Sequence, residues 1–293
     1  MKKVFKIAVA SGKGGTGKTT VSVNLFTKIT EIYTSKTVLV DCDVEEPNDL
    51  IFFPQAAIKS TEKVFQTIPV INEEKCRFCR KCVSYCEFNA IVVIPPAKFA
   101  EINANMCHSC GACTFACEHG AITEVQNMIG NITNYDIGIG NGLTEGKLKI
   151  GSAMQTMVIK KMKPGINGEN EIIIFDAPPG TSCPVVATVT DSDYILLVTE
   201  PTPFGLHDMK LMIDLLRKIE KPFGVIINKA GLGNLEVYDY LKKENIELLA
   251  EIPFDKDYAG KYASGNLLNN VPENISKIYV DLVNKIIARF NNV

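Results

Sequence analysis

Eight of the chain's ten cysteines fall into two runs of identical spacing. The first is Cys76-x2-Cys79-x2-Cys82-x3-Cys86 and the second is Cys107-x2-Cys110-x2-Cys113-x3-Cys117. Gaps this short suit a metal centre better than disulfides. Two-residue gaps let three thiolates converge on one cubane, while the fourth, a turn later, points elsewhere. A pair of structural zinc sites is the alternative reading, because zinc also takes C-x2-C. The asymmetric four-cysteine spacing, given twice, favours the cubane. Both runs sit in an internal repeat: Ile71–Ile91 and Ile102–Ile122 align at an offset of 31 residues, with nine of 21 positions identical. This sets the stretch from about Pro69 to Val125 apart from the rest of the chain.

Outside that stretch, short apolar runs alternate with helical patterns. Val4–Ala10, Thr37–Val40, Ile172–Phe175, Tyr194–Val198, Gly224–Ile227 and Leu248–Ile252 read as buried strands. Gly17 to Tyr33, Leu206–Ile219 and Leu235–Glu244 read as helices. The alternation predicts an α/β fold with a mostly parallel sheet, whose ligands gather at the carboxyl ends of the strands. Met128–Met162 is Gly-rich and is expected to form hairpins returning to that sheet. Apolar residues at Ile275, Ile278, Leu282, Ile286 and Phe290 form a helical stripe, expected to pack on the sheet rather than lie on a membrane. The organisation expected is therefore one domain from residues 1–68 and 126–293, interrupted by a smaller one at 69–125.

The first strand runs into Gly12-Lys13-Gly14-Gly15-Thr16-Gly17-Lys18-Thr19, which fits G-x4-G-K-[ST] between a strand and a helix. Glycines let backbone N–H groups turn inward around phosphate oxygens, and the helix N-terminus adds free donors and a favourable dipole. Lys18 is expected at the β- and γ-phosphates, the Thr19 hydroxyl on Mg²⁺ and Thr20 at the α-phosphate.

The second lysine of this loop, Lys13, makes it resemble the deviant phosphate-binding motif of the MinD/ParA ATPases. That group includes the nitrogenase iron protein and the Mrp-type iron–sulfur carriers. Asp41-Cys42-Asp43 resembles the family's D-x-D, and Asp176-Ala-Pro-Pro-Gly180 resembles its D-x-P-P-G. The resemblance implies an ATP-hydrolysing P-loop fold and a nucleotide-dependent homodimer, in which Lys13 reaches the partner's nucleotide. It implies that Asp43 orients the attacking water, that Asp176 holds Mg²⁺ through a water, and that Gly180 lets the following segment move. Asn228-Lys229-Ala230-Gly231 lacks the Asp that would pair with guanine, so ATP is expected, with Asn228 and the Ile252-Pro253-Phe254 loop near the adenine.

The cysteine runs resemble those of bacterial two-cluster ferredoxins, whose fourth cysteine ligates the other cluster. By that rule Cys76, Cys79, Cys82 and Cys117 hold one [4Fe–4S] cluster, and Cys107, Cys110, Cys113 and Cys86 hold the other. Ferredoxins carry Pro after the fourth cysteine; here Glu87 and Glu118 stand there. A carboxylate so placed is expected to lower the potential. Cys42 is read as a packed thiol and Cys183 as a structural or merely nearby one, although the nitrogenase iron protein has a cysteine near this place that ligates a cluster shared by two subunits; His108 and His119 are read as neighbours rather than ligands. The inserted segment would thus be an α+β ferredoxin-like domain.

A net charge of −2 and a pI near 6.0 argue against a protein that works by coating nucleic acid. No apolar run approaches a membrane span. The cysteine usage points to a reducing cytoplasm. Three functions are compatible with ATP, Mg²⁺ and two clusters in one chain. They are ATP-gated electron transfer to a redox partner, iron–sulfur assembly or carriage, and redox-sensing regulation. A complete set of eight ligands favours the first.

Overall fold

The computed structural model describes residues 4–33, 36–138, 140–163 and 171–291. Strand β1 (Phe5–Ala10) leads into α1 (Lys18–Ile32), and β2 (Thr37–Asp41) follows. A 3-10 turn (Asp49–Phe52) precedes the long β3 (Ala57–Ile71). Next come α2 (Lys81–Ser84), β4 (Ile91–Ile94), β5 (Phe99–Ile102), α3 (Ala112–Ala116) and the long β6 (Ile122–Gly138). Then follow β7 (Asn141–Leu148), α4 (Gln155–Met162), β8 (Ile172–Asp176), α5 (Cys183–Val189), β9 (Tyr194–Thr199) and α6 (Pro203–Lys218). The chain closes through β10 (Phe223–Ala230), α7 (Glu236–Lys243), β11 (Leu248–Pro253), α8 (Lys256–Ala263) and α9 (Glu273–Asn291).

Nine strands form one sheet in the order β11-β10-β9-β1-β8-β2-β7-β6-β3. The pairs from β11 through to β7 are parallel, as the alternating pattern predicts. β2, β8 and β9 are buried at every position, because helices cover both faces. β1 and β8 run in register from Phe5↔Ile172 to Val9↔Asp176, which sets the end of β1 beside Asp176.

Two compact units divide the chain. One comprises Met1–Thr61, Ile132–Lys147 and Ile159–Val293; the other comprises Glu62–Asn131 and Leu148–Val158. In the first, α9 buries Ile275, Tyr279, Leu282, Val283 and Ile286 in the main core. Each such aliphatic side chain contributes roughly 1.5–3 kcal/mol relative to exposure. The stripe is therefore spent on the core; the Phe290 side chain lies outside the described residues. No described helix is long and apolar enough to cross a membrane.

The second unit has a small core of Ile91, Val93, Cys113 and Ile122. β4 and β5 pair antiparallel, Ile91↔Ile102 to Ile94↔Phe99. Two departures from the sequence reading stand out. β3 runs through Pro69, where the domain boundary is expected. Residues 155–162 form α4 rather than a hairpin, since Met154, Val158, Ile159 and Met162 share a buried helical face.

Candidate functional site

β1 ends at Ala10, and the loop to α1 carries the phosphate motif. Gly17 caps α1 at φ 94°. A Cβ there would also meet Asn228 Nδ2 at 2.1 Å, so the position is closed to other residues on two grounds. A Cβ on Gly12 would meet the Asp208 carbonyl oxygen at 2.1 Å. The loop opens onto a cavity of about 390 Å³. Gly14, Gly15, Gly17, Lys18, Thr19 and Thr20 line it, with Asp43 and Asn228. Ile252, Pro253 and Phe254 line it too, with Asp255, Tyr258 and Tyr262 of the α8 segment. Asp255 caps α8 by accepting from the Tyr258 N–H at 2.8 Å, which holds this wall in place.

At the floor, the Thr19 hydroxyl donates to Asp176 Oδ2 at 2.7 Å. Asp176 Oδ1 is buried without a partner among the described residues. Burial raises the Asp176 acid, with Lys18 and Thr19 pulling the other way. Burial likewise lowers the Lys18 ammonium, against the charges of Asp176 and Asp43. Asp41 accepts from the backbone N–H groups of Asp43, Asn48 and Asp49 at 3.0, 2.8 and 3.1 Å. It thus shapes the loop that presents Asp43.

Burial pushes the Asp43 carboxyl up to about 6 from an ordinary 3.8, with Lys18 opposing. A raised acid binds its proton more tightly in the folded protein than in the unfolded chain. The stability it contributes is complete below the unfolded value and is lost as pH rises through about 6. The urea midpoint of the nucleotide-free protein should therefore fall across that window more steeply than that of Asp43→Asn. Equal slopes in urea titrations at several pH values would contradict this assignment.

The loop's other lysine, Lys13, forms an ion pair with Glu200, whose side chain is 13% exposed. Lys229 Nζ donates to Glu200 Oε2 at 3.1 Å and to the Gly15 carbonyl at 2.9 Å. Burial would raise Glu200, but the two lysines outweigh it and hold the carboxyl below its usual range. Asn228 Nδ2 donates to the Thr16 carbonyl at 2.8 Å, so its amide braces the loop as well as lining the cavity.

Sequence reasoning missed Glu200, Lys229 and Asp49. Glu200 follows the carboxyl end of β9, a place where ligands gather, and that position was the available signal. Asp49 is wholly buried, and neither carboxyl oxygen has a hydrogen-bond partner among the described residues. Burial, then Asp41 and Asp176, push its acid well above the ordinary range. In sequence it reads as a turn residue after Pro-Asn.

In the second unit all eight repeat cysteines are free; in the first, Cys42 is free and buried and Cys183 is free and exposed. Cys76, Cys79, Cys82 and Cys117 line one cavity. Cys86, Cys107, Cys110 and Cys113 line another. Four backbone N–H groups donate to sulfur: Phe78 to Cys76 at 3.4 Å, Ala121 to Cys117 at 3.3 Å, Ser109 to Cys107 at 3.4 Å and Ala90 to Cys86 at 3.4 Å. Left-handed backbone recurs at the repeat offset, Phe78 with Ser109, Arg80 with Gly111 and Asn89 with Gly120. That geometry turns the N–H groups towards the thiols. Among the described residues no three His, Cys, Asp or Glu side chains converge closely enough for a single metal ion. His108 stacks on Phe88 with centroids 3.9 Å apart. Glu118 pairs with the Lys81 ammonium, which holds its carboxyl below the usual range and offsets its charge.

The sequence matches the CobQ/CobB/MinD/ParA nucleotide binding domain over residues 7–268. It is 33% identical over 268 residues to an uncharacterised protein of Methanocaldococcus jannaschii, covering 90% of this chain and 91% of that one. An iron-sulfur cluster carrier protein of Pyrococcus furiosus is 25% identical over 269 residues, covering 86% of this chain and 74% of that one. The cell division ATPase MinD of P. furiosus superposes at a TM-score of 0.61 with 18% identity, covering 99% of this chain and 100% of that one. The septum site-determining protein MinD of Pyrococcus horikoshii, complexed with Mg-ADP, gives 0.61 at 16%, covering 97% and 96%. The solved structures, at such identities, establish the fold. The family match spans the strand, loop and helix that build the phosphate site, and with them most of the sheet. This chain belongs to the CobQ/CobB/MinD/ParA family and has its P-loop ATPase fold.

Proposed function

We propose that this chain hydrolyses Mg·ATP and couples its nucleotide state to electron transfer through two [4Fe–4S] clusters. The observation that carries the reading is the grouping of the eight repeat cysteines. Each cavity takes three thiols from one run and the fourth from the other. The N–H donors aimed at sulfur fit thiolate ligands that carry negative charge. Four thiols spread around a cavity fit a cubane better than a single zinc ion. The segment 69–125 is thus read as an inserted ferredoxin-like domain. When bound, the clusters supply reversible one-electron chemistry.

In the nucleotide site, Lys18 would neutralise β- and γ-phosphate charge, and the loop N–H groups would cradle it. Thr19, with the unpartnered buried Oδ1 of Asp176 beneath it, fits a divalent cation. Asp43 would orient the attacking water. Lys13 must leave Glu200 to reach the nucleotide of a second copy, so dimerisation exchanges one ion pair for another. The name of the P. furiosus carrier favours one alternative, an ATPase that delivers clusters. Ligands drawn crosswise from two segments suit retention over delivery.

Cluster potential and retention, measured with and without Mg·ATP, test the reading. The expected result is full retention through turnover and a midpoint that moves with nucleotide. Passage of clusters to an apo-protein would establish the carrier reading instead. Midpoints indifferent to nucleotide would remove the coupling.

A further inference from the structure

The two cysteine cavities are built from the same repeat, yet their surroundings differ in charge. Arg77, Arg80 and Lys81 line the cavity of Cys76, Cys79, Cys82 and Cys117, with no carboxylate. Glu124 lines the cavity of Cys86, Cys107, Cys110 and Cys113, with no Lys or Arg. At the repeat offset Arg77 corresponds to His108, Arg80 to Gly111, Lys81 to Ala112 and Val93 to Glu124. Each cavity also has one His, so those residues balance.

The other levers on potential can be compared directly. Backbone N–H donors to sulfur are matched, two at each set of cysteines. These four contacts therefore do not separate the two sites. Lys81 pairs with Glu118, which cancels much of its charge. Arg77 and Arg80 form no ion pair among the described residues, so their charges stand. Cys107 and Cys113 are each only 8% exposed, whereas Cys76 and Cys82 are half-buried.

Reduction adds one negative charge to a thiolate-bound cluster. Nearby cations favour that change, while a carboxylate and burial disfavour it. Charge and burial therefore act in the same direction here. We propose that Arg77 and Arg80 on one side, and Glu124 on the other, order the two sites in potential. The site of Cys76, Cys79, Cys82 and Cys117 is the higher. A single electron from a low-potential one-electron donor comes to rest there, and the second site fills only on further reduction. This ordering rests on the reading that clusters occupy both cavities.

The repeat itself supplies the test. Arg80 sits at φ 64°, a backbone that glycine adopts without strain. Arg80→Gly therefore removes charge without disturbing the fold. Glu124 accepts from the Thr114 hydroxyl at 2.9 Å, and Glu124→Gln keeps an acceptor there. Film voltammetry of the full chain, purified without oxygen and checked for iron and for the EPR signals of both clusters, reads the outcome. The electrode supplies and removes the electrons.

Two one-electron waves are expected. Arg80→Gly should move only the upper wave, downwards, and Glu124→Gln only the lower wave, upwards. Raising the salt concentration should narrow the gap, since exposed charges are screened beyond about 8–10 Å at 0.1–0.15 M. A single two-electron wave in the wild type would overturn the ordering. So would Arg80→Gly moving the lower wave, or leaving both in place. A chain that carries no iron at these cysteines would overturn the underlying reading, and the ordering with it.

Discussion

Lys18→Ala should cut ATP hydrolysis by roughly 10²–10³-fold, the usual loss when one charge-stabilising group is removed from a phosphoryl or acyl transfer site. Lys18 is 8% exposed, at the first position of α1, with Asp176 and Asp43 close enough to influence its charge. No other described lysine lines that cavity except Lys229, which is engaged with Gly15 and Glu200. Its loss would leave two carboxylates without their cation at the place where phosphate charge must be met. Iron content should be unchanged, because the cysteine cavities lie in the other unit. Steady-state hydrolysis beside iron analysis checks both halves. A variant that hydrolyses ATP at the wild-type rate would remove Lys18 from the chemistry.

The second large effect concerns which cysteines share a site. Cys117 belongs to the second run in sequence but lines the cavity of Cys76, Cys79 and Cys82. Cys117→Ser should therefore erase the same EPR signal as Cys76→Ser. Cys86→Ser should erase the other, together with Cys113→Ser. On the proposed two-cluster reading, each variant is expected to lose about half the iron, since one set of four ligands is broken and the other is complete. If Cys117→Ser and Cys113→Ser removed the same signal, the crossed assignment would be wrong and each run would hold its own centre.

Much of this was legible in the sequence, for identifiable reasons. The strands of the parallel sheet are apolar at nearly every position, so their runs stand out. The phosphate loop is local: its strand, glycines, lysine and helix are contiguous, and short-range sterics dictate its shape. The repeat marked out the two cysteine runs, and the resemblance to two-cluster ferredoxins supplied their crossed grouping. What escaped is long-range. Lys13 meets Glu200 across 187 residues, and Asn228 meets the Thr16 carbonyl across 212. No spacing rule reaches that far. Asp49 escaped because an acid after Pro-Asn looks solvated, and only the fold shows it buried near Asp41 and Asp176. The helix at 155–162 was hidden by its Gly-rich surroundings, and the effect of Glu118 by a pairing with Lys81 that only the fold brings about.

The crossed thiols have a mechanical consequence. Neither half of the repeat owns a complete set of four, because each borrows its last from the other. The halves are interlocked like two hooks, and prising them apart opens both cavities at once. On the proposed two-cluster reading, clusters in both cavities would clasp the unit around the apolar group of Ile91, Val93, Cys113 and Ile122.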